Sequence, residues 1–387
     1  MSPPAADAAK GHALPSAAAH AQQSRGLRGS PLLAAPHALG WLTRGLLAHA
    51  SDADACVAGL RLLARVSARP GGADATAAAG GVAACLAPLS AHLDSEAVVS
   101  AGLDALAALA LSPAGEAAAV SAACLELSVA ALSRHGATST AVAAAGCSAV
   151  RNLSGSAAGQ SRCLRAQVLP CLLKLLRLYG TSGGGGGAAS AGSSAAPDAA
   201  DADESRLVSV LTPCLGALRN ACASERNNVP AGDLGAAAAA AAALGAHPLA
   251  HGVQAAGLGA LWSLSRFHGN KARVVAAGGL RLAAAAAAPG GPHWSHGDVL
   301  IAAFGLISSL AWSSAVFKEK ARQAGCEEAA AAAAVSHEGA GEEGEGAAVR
   351  EAAAEALRRV AKRGDGPTAQ RRLSDVRAGV DAFMPNL

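Results

Sequence analysis

Arg151-Asn152 and Arg219-Asn220 are the most chemically capable neighbours in this sequence. An asparagine amide both donates and accepts hydrogen bonds, so it can pair with either face of a backbone amide. An arginine offers a planar fork of donors that matches a carboxylate. Both pairs fall at one place in a short recurring motif: a small or apolar residue, an apolar residue, two variable residues, an apolar residue. Trp262-Ser263 and Arg358-Arg359 occupy the same place, and Ser309 and Arg65 share the asparagine's slot. Trp262 would add an aromatic platform for a cation or an apolar group.

Other constellations promise less. His293-Trp294-Ser295-His296 and the pair His247 and His251 resemble halves of a metal site, but Pro248 and Pro292 interrupt them and no carboxylate converges. They read as solvated loop histidines. The run Gly183–Gly187 lacks the Gly-Lys-Ser/Thr ending of a phosphate-binding loop. No Ser/His/Asp or Cys/His set stands at an informative spacing, so no catalytic residue, metal or cofactor is assigned. Nine cysteines, an odd number without a C-x-x-C, read as reduced thiols packed like small hydrophobes in the cytosol or an organelle stroma. Arg371-Arg372-Leu373-Ser374 resembles a basophilic kinase site. A phosphate on Ser374 would offset the charge of Arg371, Arg372 and Arg377.

The motif itself shows what must position these residues. It ends at positions 66, 109, 153, 221, 264, 310 and 360, with gaps of 43, 44, 68, 43, 46 and 50. The long gap contains Gly183–Gly187 and an Ala/Ser/Asp stretch reaching Ser205, which has the composition of a flexible linker. Without it the gap falls to about 43, inside the range of roughly 40 to 47 residues typical of two- or three-helix repeats. Cys147, Val150 and Leu153 are spaced by threes, as one face of a helix requires. Ser112-Pro113 has the cap and first-position signals of a helix start. Thr212-Pro213 either opens a helix or places Pro213 inside one. Glu338, Glu342, Glu343 and Glu345, among glycines, read as a solvated loop between the last two repeats.

Composition agrees with helices. Alanine loses no side-chain entropy in a helix, and aromatics at 2% disfavour a β-sandwich or barrel. A net charge of +3 is too small for nucleic-acid binding by bulk electrostatics. The apolar runs are poly-Ala and too short to span a bilayer.

Particular residues carry a family likeness. Cys147-Ser148-Ala149-Val150-Arg151-Asn152-Leu153-Ser154 resembles the third helix of an armadillo repeat, as does Leu215-Gly216-Ala217-Leu218-Arg219-Asn220. Gly259-Ala260-Leu261-Trp262-Ser263-Leu264-Ser265, followed by Asn270-Lys271-Ala272-Arg273-Val274-Val275-Ala276-Ala277-Gly278-Gly279-Leu280, is similar to the family's A-L-W-N-L-S and N-K-x-x-I-x-x-A-G-G-L, with Ser263 in place of asparagine. The likeness covers about 80% of the chain. It implies an all-α fold, a right-handed α-solenoid of about seven armadillo-like (ARM/HEAT-type) repeats. The third helices would line a concave groove, with Asn152 and Asn220 facing a bound peptide and Arg151, Arg219, Trp262, Ser263, Ser309 and Arg359 beside them. The alternative is that Asn152 and Asn220 only satisfy backbone groups at helix ends. The tryptophan that importin-type receptors place four residues before asparagine is replaced here by Ser148 and Gly216. The second helices are degenerate: Ala236–Ala243, Ala283–Ala288 and Ala329–Ala334 stand where the family has leucines, and burying alanine stabilises far less than burying leucine.

The organisation expected is a leader or partial N-terminal cap at 1–51, repeats one to three at 52–180, a linker at 181–205, repeats four to seven at 206–365 and a basic tail at 366–387. The leader has Lys10, Arg25, Arg28 and Arg44 against Asp7; an organelle transit peptide is the alternative reading. The expected function is a non-catalytic scaffold holding a segment of another protein, cytoplasmic or else nuclear or in an organelle, with no nucleic-acid or membrane partner. The alternative is an RNA-binding helical-repeat protein of an organelle. Oligomeric state is not fixed by the sequence.

Overall fold

The computed structural model describes residues 36–181, 197–336 and 344–361. The described residues form twenty α-helices and no strand. A leading pair, α1 (Pro36–Ala48) and α2 (Ala53–Ser67), precedes six trios of helices, the third the longest in each. These are α3 (Gly72–Ala78), α4 (Gly81–Ala91) and α5 (Glu96–Leu109); α6 (Pro113–Ser121), α7 (Cys124–His135) and α8 (Thr140–Leu153); α9 (Ala157–Arg162), α10 (Val168–Tyr179) and α11 (Pro197–Ala221); α12 (Glu225–Asp233), α13 (Ala236–Ala246) and α14 (His251–Ser265); α15 (His268–Ala276), α16 (Gly279–Ala286) and α17 (Gly297–Ala311); and α18 (Ala315–Gln323), α19 (Cys326–Ser336) and α20 (Glu345–Val360). Each of the seven sequence motifs ends within one residue of the end of a third helix, α2, α5, α8, α11, α14, α17 or α20.

The chain divides into two compact units, Met1–Gly115 and Glu116–Leu387. In the first, α2 packs on α5 and α1 on α4. In the second, α8, α11, α14, α17 and α20 pack each on the next, while α7, α10, α13, α16 and α19 form a parallel row behind them. This layering of like on like makes each unit a solenoid segment, in which a repeat is stabilised by its neighbours.

Two backbone devices recur. Between the first and second helix of every trio stands one residue in the left-handed region: Gly80, Ala123, Gln167, Gly235, Gly278 and Gly325, with φ of 81°, 60°, 57°, 83°, 83° and 79°. It turns the chain by 73° to 75° at the three junctions α3–α4, α6–α7 and α12–α13. Glycine reaches this region without the Cβ clash that Ala123 and Gln167 bear. The second device is a notch. A Cβ on Gly59, Gly102, Gly146 or Gly257 would lie only 2.6, 2.6, 2.5 or 2.7 Å from the side chain of Leu46, Leu89, Leu132 or Leu244. Each bare glycine thus admits the buried leucine of the preceding helix.

The poly-Ala segments are the second helices α13, α16 and α19, and most of their alanines are buried. The largest length variation falls in the connections before the third helices. Four residues suffice between α1 and α2, α4 and α5, α7 and α8, and α13 and α14; ten join α16 to α17 and seventeen separate α10 from α11. α11 begins at Pro197, so residues 197–205, assigned to the linker by composition, are helical. Pro213 lies inside α11. Ser112 does cap α6, its Oγ accepting from the Gly115 N–H at 3.1 Å. Glu345, read as loop, sits in the first turn of α20. Among the described residues no single helix is long and apolar enough to cross a membrane.

Candidate binding face on the third helices

The two positions before the end of each third helix project along one face of the second unit. The long side chains there lie across the next helix. A Cβ on Gly216 would meet Arg151 Cδ at 2.8 Å, one on Gly259 would meet Arg219 Cδ at 2.9 Å, and one on Gly305 would meet the Trp262 ring at 2.7 Å. Arg151, Arg219 and Trp262 are therefore successive rungs, each seated on a glycine of the following helix. Gly216, where a tryptophan would stand in an importin-type receptor, is filled by the stem of Arg151.

The asparagine slot ties the scaffold together. Asn220 Nδ2 donates to the carbonyl of Arg151 at 2.8 Å, joining α11 to the end of α8. Asn152 Oδ1 accepts from Arg151 Nε at 3.1 Å. Ser309 carries the same role between α14 and α17, its hydroxyl 2.8 Å from that of Ser265. Ser263 is half-buried, and its carbonyl accepts from Asn228 Nδ2 at 2.9 Å. The third-helix C-terminal carbonyls, which have no partner within their own helices, are thus met by neighbouring repeats.

Sequence reasoning missed most of that network. Asn227 donates to the carbonyls of Ala221 and Gln160, at 2.9 and 2.8 Å. Asn228 also donates to the Cys222 carbonyl at 2.8 Å. Asn270 donates to the Asn228 carbonyl at 2.7 Å, and Lys271 Nζ to the Ser309 carbonyl at 2.9 Å. All four side chains are buried, where an unmade hydrogen bond would cost about 1–3 kcal/mol each. The signal was present: Asn227-Asn228 and Asn270-Lys271 stand one 43-residue period apart.

Two concavities flank Trp262, which is 37% exposed. One, of about 380 Å³, is bordered by Arg219, Asn220, Trp262, Ser263, Arg266 and Ile301 among others, and no acidic residue lines it. The other, of about 420 Å³, lies where α17 faces α20, with Trp262, Ile301, Phe304 and Trp312 as its apolar wall. Its charges are largely matched internally. Arg359 places its guanidinium 3.7 Å from the centre of the Trp312 ring, a cation–π contact, and hydrogen-bonds Glu355, which also pairs with Arg358 at 2.7 Å. That bond from Arg359 holds the Glu355 carboxyl below the usual range. Burial lowers the pKa of Lys271, and the Arg359 charge adds to this.

The histidines are not all solvated. His247 and His293 are 1% and 2% exposed. His247 Nδ1 lies 2.8 Å from Glu204, near the start of α11, and His293 Nε2 donates to the Pro248 carbonyl at 2.8 Å. Proximity of chain segments far apart in sequence shields them, which local reading does not show. Among the described residues no group of three or more His, Cys, Asp or Glu is placed to hold a metal ion. Ser374 lies outside the described residues.

No protein-family model and no curated protein matches the sequence. Solved structures do. An engineered protein from the Northeast Structural Genomics Consortium aligns over 84% of this chain and 68% of its own, at 19% identity and a TM-score of 0.61. A chain from the structure described as "A conserved phosphorylation switch controls the interaction between cadherin and beta-catenin in vitro and in vivo" aligns over 89% of this chain and 75% of its own, at 13% identity and a TM-score of 0.52. A designed armadillo repeat protein aligns over 84% of this chain and all of its own, at 17% identity and a TM-score of 0.44. At such identities the likeness to the first two establishes fold alone. With its three-helix repeats, left-handed junctions and stacked third helices, the chain is an armadillo-like repeat protein in fold.

Proposed function

We propose that this chain is a non-catalytic interaction scaffold, and that the third-helix face of its second unit holds an extended segment of a partner protein. The observation that carries this reading is the row of Arg151, Arg219 and Trp262, each laid on a glycine of the next helix. The row presents guanidiniums and an indole along one face, with concavities on both sides of Trp262. Arginine and tryptophan dominate the energetics of protein interfaces. The structural neighbour concerned with cadherin and beta-catenin is likewise described by a protein–protein interaction.

Asn220 contributes by fixing the rung of Arg151 through that residue's carbonyl, whichever ligand lies above it. Affinity purification with the unaltered chain and with Arg151→Glu/Arg219→Glu tests the proposal. Proteins retained by the first and lost from the second support it. An identical set retained by both overturns it. Salt-sensitive retention of RNA in place of protein would favour the nucleic-acid alternative.

A further inference from the structure

The two concavities differ in chemistry, and the difference specifies a ligand. On one side of Trp262, Arg219 and Arg266 border a hollow that no acidic residue lines. Both arginines are exposed, and no ion pair among the described residues engages either. Two uncompensated guanidiniums around one hollow favour an anion, because each fork can donate a pair of hydrogen bonds to a carboxylate. On the other side Ile301, Phe304 and the two indoles give the hollow an apolar wall, beside two basic and two acidic side chains. There Arg359 is held by Glu355 and Trp312, and Lys271 donates to a backbone carbonyl. That hollow has little net charge to offer, so it suits a large uncharged side chain.

We propose that this face reads a protein segment bearing an acidic side chain and a large apolar side chain about three residues apart. The acid sits between Arg219 and Arg266, and the apolar group in the cavity over Phe304. The inference rests on the reading of this face as a partner-binding surface and adds the partner's chemistry. The spacing follows from geometry: packed helices lie roughly 8–10 Å apart, and an extended chain advances about 3.3 Å per residue. RNA also brings anions and a stacking group for Trp262, but the second hollow sets Lys271 and Arg359 against Glu351 and Glu355 and so offers no net positive charge to a phosphate backbone.

Fluorescence anisotropy with the full chain and labelled ten-residue peptides tests it. The peptides carry one Glu and one Phe in a Gly/Ser background, one to five positions apart, with Glu→Lys and Phe→Ser controls and a mixed-sequence 12-nucleotide RNA. Expected are tightest binding at separations of two to four and at least tenfold weaker binding of both controls. Arg219→Glu/Arg266→Glu, checked for an unchanged thermal melt, should reverse the Glu-over-Lys preference. Equal binding of Glu and Lys peptides, or tighter binding of the RNA, overturns the inference. If peptides of every composition bind equally and Arg151→Glu weakens them all, the ligand assignment falls while the binding face stands. If no peptide binds, both fall.

Discussion

Arg151 and Asn220 occupy adjoining slots of one motif, yet in the structure they act on different groups. Their positions at the end of the third helices follow from the motif, and Asn220 Nδ2 donates to the Arg151 carbonyl, as the backbone-satisfying alternative expected. What the face offers above this is guanidinium and indole. One ion-pair group on it joins Glu355 to Arg359 and Arg358. Because the folded carboxyl titrates below its usual 4.5, it adds stability above that pH and loses it as the pH falls through the depressed value. Glu355→Gln should therefore lower the thermal midpoint at pH 7, with the gap to the parent protein closing as the pH drops below 4.5. Thermal melts across that range check this. A gap that persists undiminished at pH 2 would mean that Glu355 contributes through packing and not charge. The side chain is a third exposed, so the effect is small.

At the scale of the helix, the motif signals only the third member of each trio. The second helices α13, α16 and α19 carry little signal because they are alanine-rich, and alanine suits any helix. At α13 a glycine notch helps to set the position: Gly257 lets Leu244, the one large apolar residue of α13, reach α14. Gly59, Gly102, Gly146 and Gly257 each stand seven residues before a motif end, a regularity visible in the sequence once the contact is known. Gly257→Val should cost about 1–3 kcal/mol, as overpacking of a tight core does. Combining it with Leu244→Ala should be less harmful than the sum of the two, since the pair shares one space. Urea unfolding of the three variants measures this, and strict additivity would refute the notch. Glycine marks four of the left-handed junctions, at Gly80, Gly235, Gly278 and Gly325. Ala123 and Gln167 hold the same conformation without any compositional trace.

Across the whole molecule, the cysteines report how completely the thin core is closed. Eight of the nine are buried and Cys171 is half-buried. Burial pushes the thiols of Cys124, Cys163 and Cys326 up to about 12, and that of Cys171 to about 11. Thiolate is the reactive form, so iodoacetamide at pH 8 should label these sites only as fast as the chain opens, with labelling rising sharply through the urea transition. Rapid native labelling of Cys326, beside the alanine-rich α19, would show that this repeat opens locally. The sequence by itself determined the helical class, the repeat period, the ends of the third helices and the scattered placing of the cysteines. These depend on local propensity and on a spacing that each repeat restates. Only the tertiary structure decided that Pro197 begins a helix, that His247 and His293 are buried, that Asn228, Asn270 and Lys271 stitch the repeats, and that Arg219 and Arg266 share one hollow. Those facts depend on which neighbouring repeat each side chain meets, and nothing in a residue's own segment encodes that contact.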